Sequence, residues 1–204
     1  MNYVKKFLND SEYYQEICKK DLIVLHHTSG TDSFSWWQTD PKKIATCFLI
    51  DKDGTINQCF KDIGNWAYHI GSNRLLPSIE KRTIGIEIES MGGLEKINGK
   101  FFTWQKRVFD GKVFDAGFKY RGFQYFEAYE EKQIQSVIWL TNMLLDTYKS
   151  IPRDIPLNIF EENKYGNTYT GIVAHVSLRP DKSDVHIGFP IERYIKECKL
   201  NKID

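Results

Sequence analysis

Leu22-Ile23-Val24-Leu25-His26-His27 opens with four consecutive apolar residues and closes with two imidazoles. A short unbroken apolar run suits a strand covered on both faces, the condition of a central strand in a sheet layered by helices. A second such run, Gly171-Ile172-Val173-Ala174, also ends in a histidine, His175. Between them lies Thr83-Ile84-Gly85-Ile86-Glu87-Ile88-Glu89, in which the isoleucines face one way and Gly85, Glu87 and Glu89 the other. Thr46 to Ile50 and Thr55 to Phe60 flank Asp51-Lys52-Asp53-Gly54 and read as a hairpin. Residues 130–149 place Ile134, Val137, Ile138, Thr141, Leu144, Leu145 and Tyr148 on one helical stripe, and Pro152 stops it. Phe189-Pro190 opens a C-terminal helix. Strands and helices alternate with one hairpin among them, so the expected class is α/β, a mixed central sheet flanked by helices.

The chain of 204 residues fits one domain able to bury a core without disulfides. Its 28 basic and 27 acidic residues leave a net charge of +1, which gives no bulk attraction to nucleic acid or anionic lipid. No apolar run reaches the roughly 20 residues of a membrane span. The N-terminal residues lack the apolar core of a secretory signal. Cys18, Cys47, Cys59 and Cys198 form no Cys-x-x-Cys pair and read as reduced, mostly buried thiols.

Three segments read less regularly. Residues 1–20 are expected to form one or two short helices, an N-terminal extension with Val4, Phe7, Leu8, Tyr14 and Ile17 turned inward. Residues 31–43 read as a short helical or irregular piece carrying Trp36 and Trp37. Ten of the thirty-six residues in 91–126 are aromatic, and glycines interrupt them. That excludes a long helix and leaves an elaborated loop or hairpin excursion, either one wall of a groove or a satellite cluster.

Function concentrates where strands end. His26 and His175 stand at the C-terminal ends of two apolar runs, and Asp184 follows soon after the second. Two imidazoles, one carboxylate and a water make an open zinc site, with the fourth position left for the nucleophile. Lys182 and Asp184 are two apart, so in an extended loop they point the same way, one able to hold metal and the other to meet a developing oxyanion. Glu87 projects opposite the isoleucines of its strand, with Gly85 leaving space beside it, and could take a proton from a metal-bound water.

These residues resemble the zinc-dependent N-acetylmuramoyl-L-alanine amidases, the type 2 amidase family, which includes phage amidase-type lysozymes and peptidoglycan recognition proteins. Five segments match in order: Ile23–Thr28, Phe48–Ile56, Trp66–Gly71, Ile84–Ile88 and Ile172–Asp184. The resemblance implies one catalytic domain over residues 1–204, with Zn²⁺ as cofactor and peptidoglycan or muropeptide as substrate. It implies His26, His175 and Asp184 as metal ligands, Glu87 as general base, Lys182 as catalytic lysine, and His69 as a residue lining the substrate cleft. Of the adjacent pair, His26 aligns with the ligand, and His27 is left to packing.

The sequence departs from the pattern in places. Thr46-Cys47 stands where many members carry Tyr-His, which favours a mechanism that uses Glu87. Val185-His186 replaces a common Pro-Gly, so His186 competes with Asp184 as third ligand. Two rivals remain from other classes: a non-catalytic peptidoglycan-binding module of the same fold, and a zinc amide hydrolase with another substrate. The chain is expected to be monomeric, made in the cytoplasm, and to act on the wall as a lysin or on wall fragments in the cytosol.

Overall fold

The computed structural model describes residues 1–71, 77–162 and 168–204. At its centre, β2 (Leu22–His27) pairs in parallel with β5 (Thr83–Ile88) on one side and β12 (Gly171–Ala174) on the other. β3 (Phe48–Ile50) runs parallel to β5 and antiparallel to β4 (Ile56–Gln58), the expected hairpin. An edge strand, β1 (Tyr3–Lys5), completes a six-stranded sheet in the order β1-β4-β3-β5-β2-β12. The mixed sheet with its flanking helices is the architecture expected from the sequence.

Alternation along these strands decides what each face buries. Ile23, Leu25, Ile84, Ile86, Ile88, Ile172 and Ala174 share the larger core with Ile134, Val137, Leu140, Leu144 and Leu145 of α3 (Glu131–Thr147). Tyr194 and Cys198 of α5 (Ile191–Cys198) belong to the same core. The opposite face carries a smaller cluster of Leu22, Val24, Ile70, Ile79, Tyr169 and Val173. Ile79 comes from α2 (Pro77–Arg82). Thr83, Gly85 and Glu87 stand in register with Leu22, Val24 and His26, so they share this less greasy face. Polar chemistry can gather there without cutting into the main core. Near the C-terminus, β11 (Asp154–Pro156) and β13 (Asn201–Ile203) form a parallel pair.

The N-terminal segment differs from the expected helices. It holds strand β1, paired in parallel with β4, and then irregular chain bridged to Trp66 through Tyr14. Val4, Phe7 and Ile17 are exposed, while Leu8 and Tyr13 are buried. The apolar positions serve a sheet edge and a few anchors, not a helical stripe.

Residues 91–126 are also more ordered than a loop. The strands β6 (Gly93–Ile97), β7 (Lys100–Phe102), β8 (Val108–Phe109), β9 (Val113–Tyr120) and β10 (Phe123–Glu127) build a second, antiparallel sheet in the order β8-β7-β6-β10-β9. Two of its turns have positive φ at both central residues, Asn98-Gly99 and Arg121-Gly122. That is the two-residue hairpin geometry whose twist matches its strands. This sheet is tied to the rest at several points. The Tyr120 hydroxyl donates to the Phe160 carbonyl at 2.8 Å, the Arg121 guanidinium donates to the Pro180 carbonyl, and the Trp104 indole N–H donates to the Ser29 carbonyl at 2.7 Å. Trp104 lies in the β7–β8 turn, which joins α1 (Ser33–Trp37) in the wall of a cleft described below. All four cysteines are free thiols, three of them buried. Among the described residues no helix is long and apolar enough to cross a membrane.

Candidate metal centre and active site

β2 ends with neighbours on opposite faces, and this separates its two histidines. His26 turns to the side of Leu22 and Val24. His27 approaches Tyr129, whose hydroxyl is 3.3 Å from its Nδ1. His175 follows β12 directly and starts the short helix α4 (His175–Leu178). The loop after α4 returns on itself: the Lys182 amide donates to the Arg179 carbonyl and the Val176 amide to the Asp184 carbonyl, both at 3.0 Å. That closure carries Asp184 back to the end of β12.

The three side chains meet. His26 Nδ1 lies 3.1 Å from His175 Nδ1 and 3.1 Å from Asp184 Oδ2, and His175 Nδ1 is 2.9 Å from the same oxygen. Among the described residues, His26, His175 and Asp184 are the group able to hold a metal ion. His186 is elsewhere. Its ring is fully buried and stacked between Phe126 and Tyr129, with centroids at 4.7 and 4.5 Å. Asp184, not His186, thus completes the triad.

The hydrogen-bond partners fix which nitrogens carry protons. His175 Nε2 is 2.8 Å from the Ile70 carbonyl, which can only accept. The nitrogen therefore donates, and Nδ1 of the neutral ring presents a lone pair. The Thr83 hydroxyl donates to the Glu80 carbonyl at 2.8 Å, so it accepts from His69 Nε2 at 2.7 Å. His69 Nδ1 is then the acceptor for His26 Nε2–H at 2.9 Å, and His26 Nδ1 also presents a lone pair. Burial is the main reason that His26 titrates only at about 4 and His69 well below the usual histidine range, with neighbouring imidazoles adding to it. Burial pushes the Asp184 carboxyl up; a proton on Nδ1 of His175 or His26 would supply the charge and hydrogen bond that outweigh burial and hold Asp184 well below the usual range, and the same Nδ1 positions are open to a cation in its place.

Three electron-pair donors thus converge at about 3 Å with no proton assigned between the imidazoles. Such a cluster suits a cation, and two nitrogens with one carboxylate oxygen match the borderline preferences of Zn²⁺. Orienting partners of the kind seen here, a backbone carbonyl for one ring and a polar relay for the other, are what metal-ligating histidines usually have.

The triad lines a cleft of about 330 Å³ together with Thr46, His69, Glu87 and Lys182, so every expected site residue reaches one cavity. Glu87 is the register neighbour of His26 on β5. Its surroundings raise its carboxyl well above the usual range: burial acts most, Asp184 adds to it, and Lys182 opposes it. His69 lines this cleft while both its ring nitrogens face partners inside the protein. Gly85 does not leave the free space expected beside Glu87. A Cβ there would lie 2.8 Å from Thr46 Cγ2 and 3.1 Å from His69 Nδ1, so glycine lets these side chains close on the strand.

Glu80 was not singled out by the sequence. Buried in α2, its carboxylate accepts the backbone N–H groups of His69 at 3.1 Å, Ile70 at 3.1 Å and Gly71 at 2.9 Å. It pins the loop that supplies both His69 and the Ile70 carbonyl. Nothing local in Ile79-Glu80-Lys81 distinguishes it from a solvated helix residue.

The family whose sequence pattern matches residues 17–186 is described as N-acetylmuramoyl-L-alanine amidase. The chain belongs to this amidase family. Among curated proteins no relative matches. Solved structures share the amidase's fold at low identity. The endolysin N-acetylmuramoyl-L-alanine amidase LysCS from Clostridium intestinale URNW is 17% identical with a TM-score of 0.54, over 98% of this chain and 95% of that one. PlyL is 12% identical with a TM-score of 0.55, over 100% of each chain. AmiD from E. coli, in complex with anhydro-N-acetylmuramic acid-L-Ala-D-γ-Glu-L-Lys, is 21% identical with a TM-score of 0.56, over 90% of this chain and 58% of that one. At these identities the likeness is one of fold.

Proposed function

We propose that this amidase hydrolyses the amide joining the lactyl group of N-acetylmuramic acid to L-alanine, in peptidoglycan or in muropeptides, with Zn²⁺ held by His26, His175 and Asp184. The observation that carries the reading is the convergence of two imidazole lone pairs and a carboxylate within one open cleft that Glu87 and Lys182 also line. Family membership and the muropeptide bound by AmiD support the substrate class.

Zinc held by His26, His175 and Asp184 would supply Lewis acidity, of the kind that brings the pKa of a water from 15.7 toward about 7. The chain supplies the proton path. Glu87, a stronger base because its carboxyl is raised, accepts the proton of the attacking water as the oxygen bonds to the amide carbon. The Lys182 ammonium, on the wall of the same cleft, stabilises the negative charge that grows on the carbonyl oxygen. Glu87 then hands its proton to the amide nitrogen as the C–N bond breaks. The products are a lactyl carboxylate and a stem peptide with a free L-alanine amine. His69 serves here by holding the His26 ring, and the closed loop 176–184 by holding Asp184 beside His175.

Digestion of purified peptidoglycan and of soluble muropeptides, with and without chelator, tests the proposal through product masses. The expected result is chelator-sensitive release of peptides beginning with L-alanine. Metal-loaded protein that leaves muramoyl-peptide bonds intact while cutting another amide would replace the substrate and keep the centre.

A further inference from the structure

A second cleft of about 540 Å³ adjoins the metal-bearing one and shares Thr28, Ser29, Ser33 and Trp36 with it. Its other wall comes from the second sheet: Trp104, Gln105 and Arg107 in and after the β7–β8 turn. Trp36 is 52% exposed and Trp104 57% exposed, two indoles facing solvent along one depression. Trp104 is not loose. Its N–H is spent on the Ser29 carbonyl, and the turn beneath it is closed by Thr103 and Arg107, whose backbones bond at 2.9 Å, and by Lys106 N–H on Thr103 at 2.8 Å. The indole is therefore held in a fixed orientation in the cleft wall, with more than half of its surface open to a ligand.

We propose that this cleft is a saccharide subsite that takes the hexosamine next to the muramoyl residue being cut. The proposal rests on the amidase reading above. A pyranose has an apolar C–H face and a rim of hydroxyls. The apolar face suits an indole, whose surface is electron-rich and weakly hydrated. The hydroxyl rim suits the short polar side chains of Ser29, Thr31 and Ser33 with Gln105 and Arg107, the small set of oriented polar groups usual in a ligand site. A stem peptide with several carboxylates is a poorer occupant, since Asp32 offsets Arg107 and the lining carries no net positive charge to receive them. Continuity with the catalytic cleft fixes the direction: the glycan strand runs from the metal centre across Trp36 toward Trp104. The second sheet thereby selects glycan-linked substrate over a single muramoyl peptide.

The test compares one stem peptide carried on a single N-acetylmuramic acid with the same peptide carried on a glycan tetrasaccharide. In Trp104→Ala the ratio of kcat/KM for the tetrasaccharide over the single sugar is expected to fall about tenfold, the scale of one aromatic stacking contact, and the fall is expected in KM. Trp104→Phe, which keeps an aromatic face, should recover much of the ratio. Peptide-free glycan tetrasaccharide should change the indole fluorescence of the wild type and do so more weakly with Trp104→Ala. An unchanged ratio, or an equal loss on both substrates, overturns the subsite; equal loss would point to the peptide as occupant. The fluorescence titration needs no turnover. Glycan binding by a protein that cuts neither substrate would therefore sink the amidase proposal while keeping the subsite.

Discussion

Replacing Glu80 by alanine removes no atom of the metal triad, yet it should loosen the triad. The carboxylate accepts three consecutive backbone N–H groups, those of His69, Ile70 and Gly71. An orphaned buried donor costs about 1–3 kcal/mol. The Ile70 amide is in a fully buried bond, and the other two are part-buried, so they lie at the lower end. Against that stands the relief of no longer desolvating a carboxylate, the effect that raises the Glu80 carboxyl's pKa. A net loss of about 3 kcal/mol follows. That is a large share of the roughly 5–15 kcal/mol a domain has, but it leaves a folded protein at room temperature. Freed of the clasp, the loop no longer fixes the Ile70 carbonyl that orients His175, and metal affinity should drop about 10–100-fold. Denaturant unfolding of the metal-free protein reads the first effect through the midpoint at constant m-value. Zinc competition with a chromophoric chelator reads the second. Glu80→Gln, which keeps one acceptor oxygen but turns an NH₂ toward the donors, should fall between. An unchanged midpoint would refute the clasp, and a lowered midpoint with unchanged zinc affinity would refute its coupling to His175.

Glu87→Gln should keep zinc and lose turnover; it should also stabilise the metal-free protein at neutral pH, because a carboxyl raised in the fold loses stability as pH climbs past its ordinary value, whereas an amide does not titrate. Full activity in this variant would remove Glu87 as the base. Lys182→Ala should retain metal and lower kcat by about 10²–10³-fold, the effect of deleting one oxyanion donor; a loss seen only in KM would assign it to ground-state binding instead. Thr83→Val keeps shape but takes the acceptor from His69 Nε2, so zinc affinity measured by the same competition should fall about 10–100-fold. Lys20 is buried and titrates at about 8 instead of 10.5, chiefly from desolvation. Its unfolded chain holds the proton longer, so wild type should gain about 3 kcal/mol on Lys20→Met as pH rises from 8 to 10.5, and a flat difference would place the amine in water.

Much of the frame could be read in advance because it rests on local patterns. Apolar runs at Leu22–Leu25 and Gly171–Ala174 announced covered strands, and the alternation of Thr83–Ile88 placed Glu87 opposite the isoleucines. What escaped depended on partners far along the chain. Tyr3–Lys5 is a strand because Ile56–Gln58 offers it an edge, and no helical stripe stands behind it. Glu80 looks like a solvated helix residue until three N–H groups from a distant loop close on it. Gly85 looks like free space until Thr46 and His69 press against its backbone. The second sheet is a different case. Asn98-Gly99 is a strong hairpin signal on its own, but it sits among aromatics that gave no clean alternation.

That second sheet also bears on how the site works as a unit. Two of its turns reach loops of the catalytic region: Trp104 holds the Ser29 carbonyl just beyond the His26-His27 strand end, and Arg121 holds the Pro180 carbonyl in the loop that carries Lys182 and Asp184. Between them, the stacked ring of His186 on Phe126 anchors the sheet to the segment that follows Asp184. The sheet is therefore a brace as well as a wall, and the two roles separate by residue. Arg121→Ala cuts a tether to the ligand loop without touching the indole cleft. It should lower zinc affinity and activity on long and short substrates alike. Trp104→Phe keeps the wall's aromatic face but gives up the bond to Ser29. If Arg121→Ala instead changed the preference between glycan-linked and single-sugar substrates while zinc affinity held, the brace would be the wrong description, and the whole sheet would act as a substrate platform.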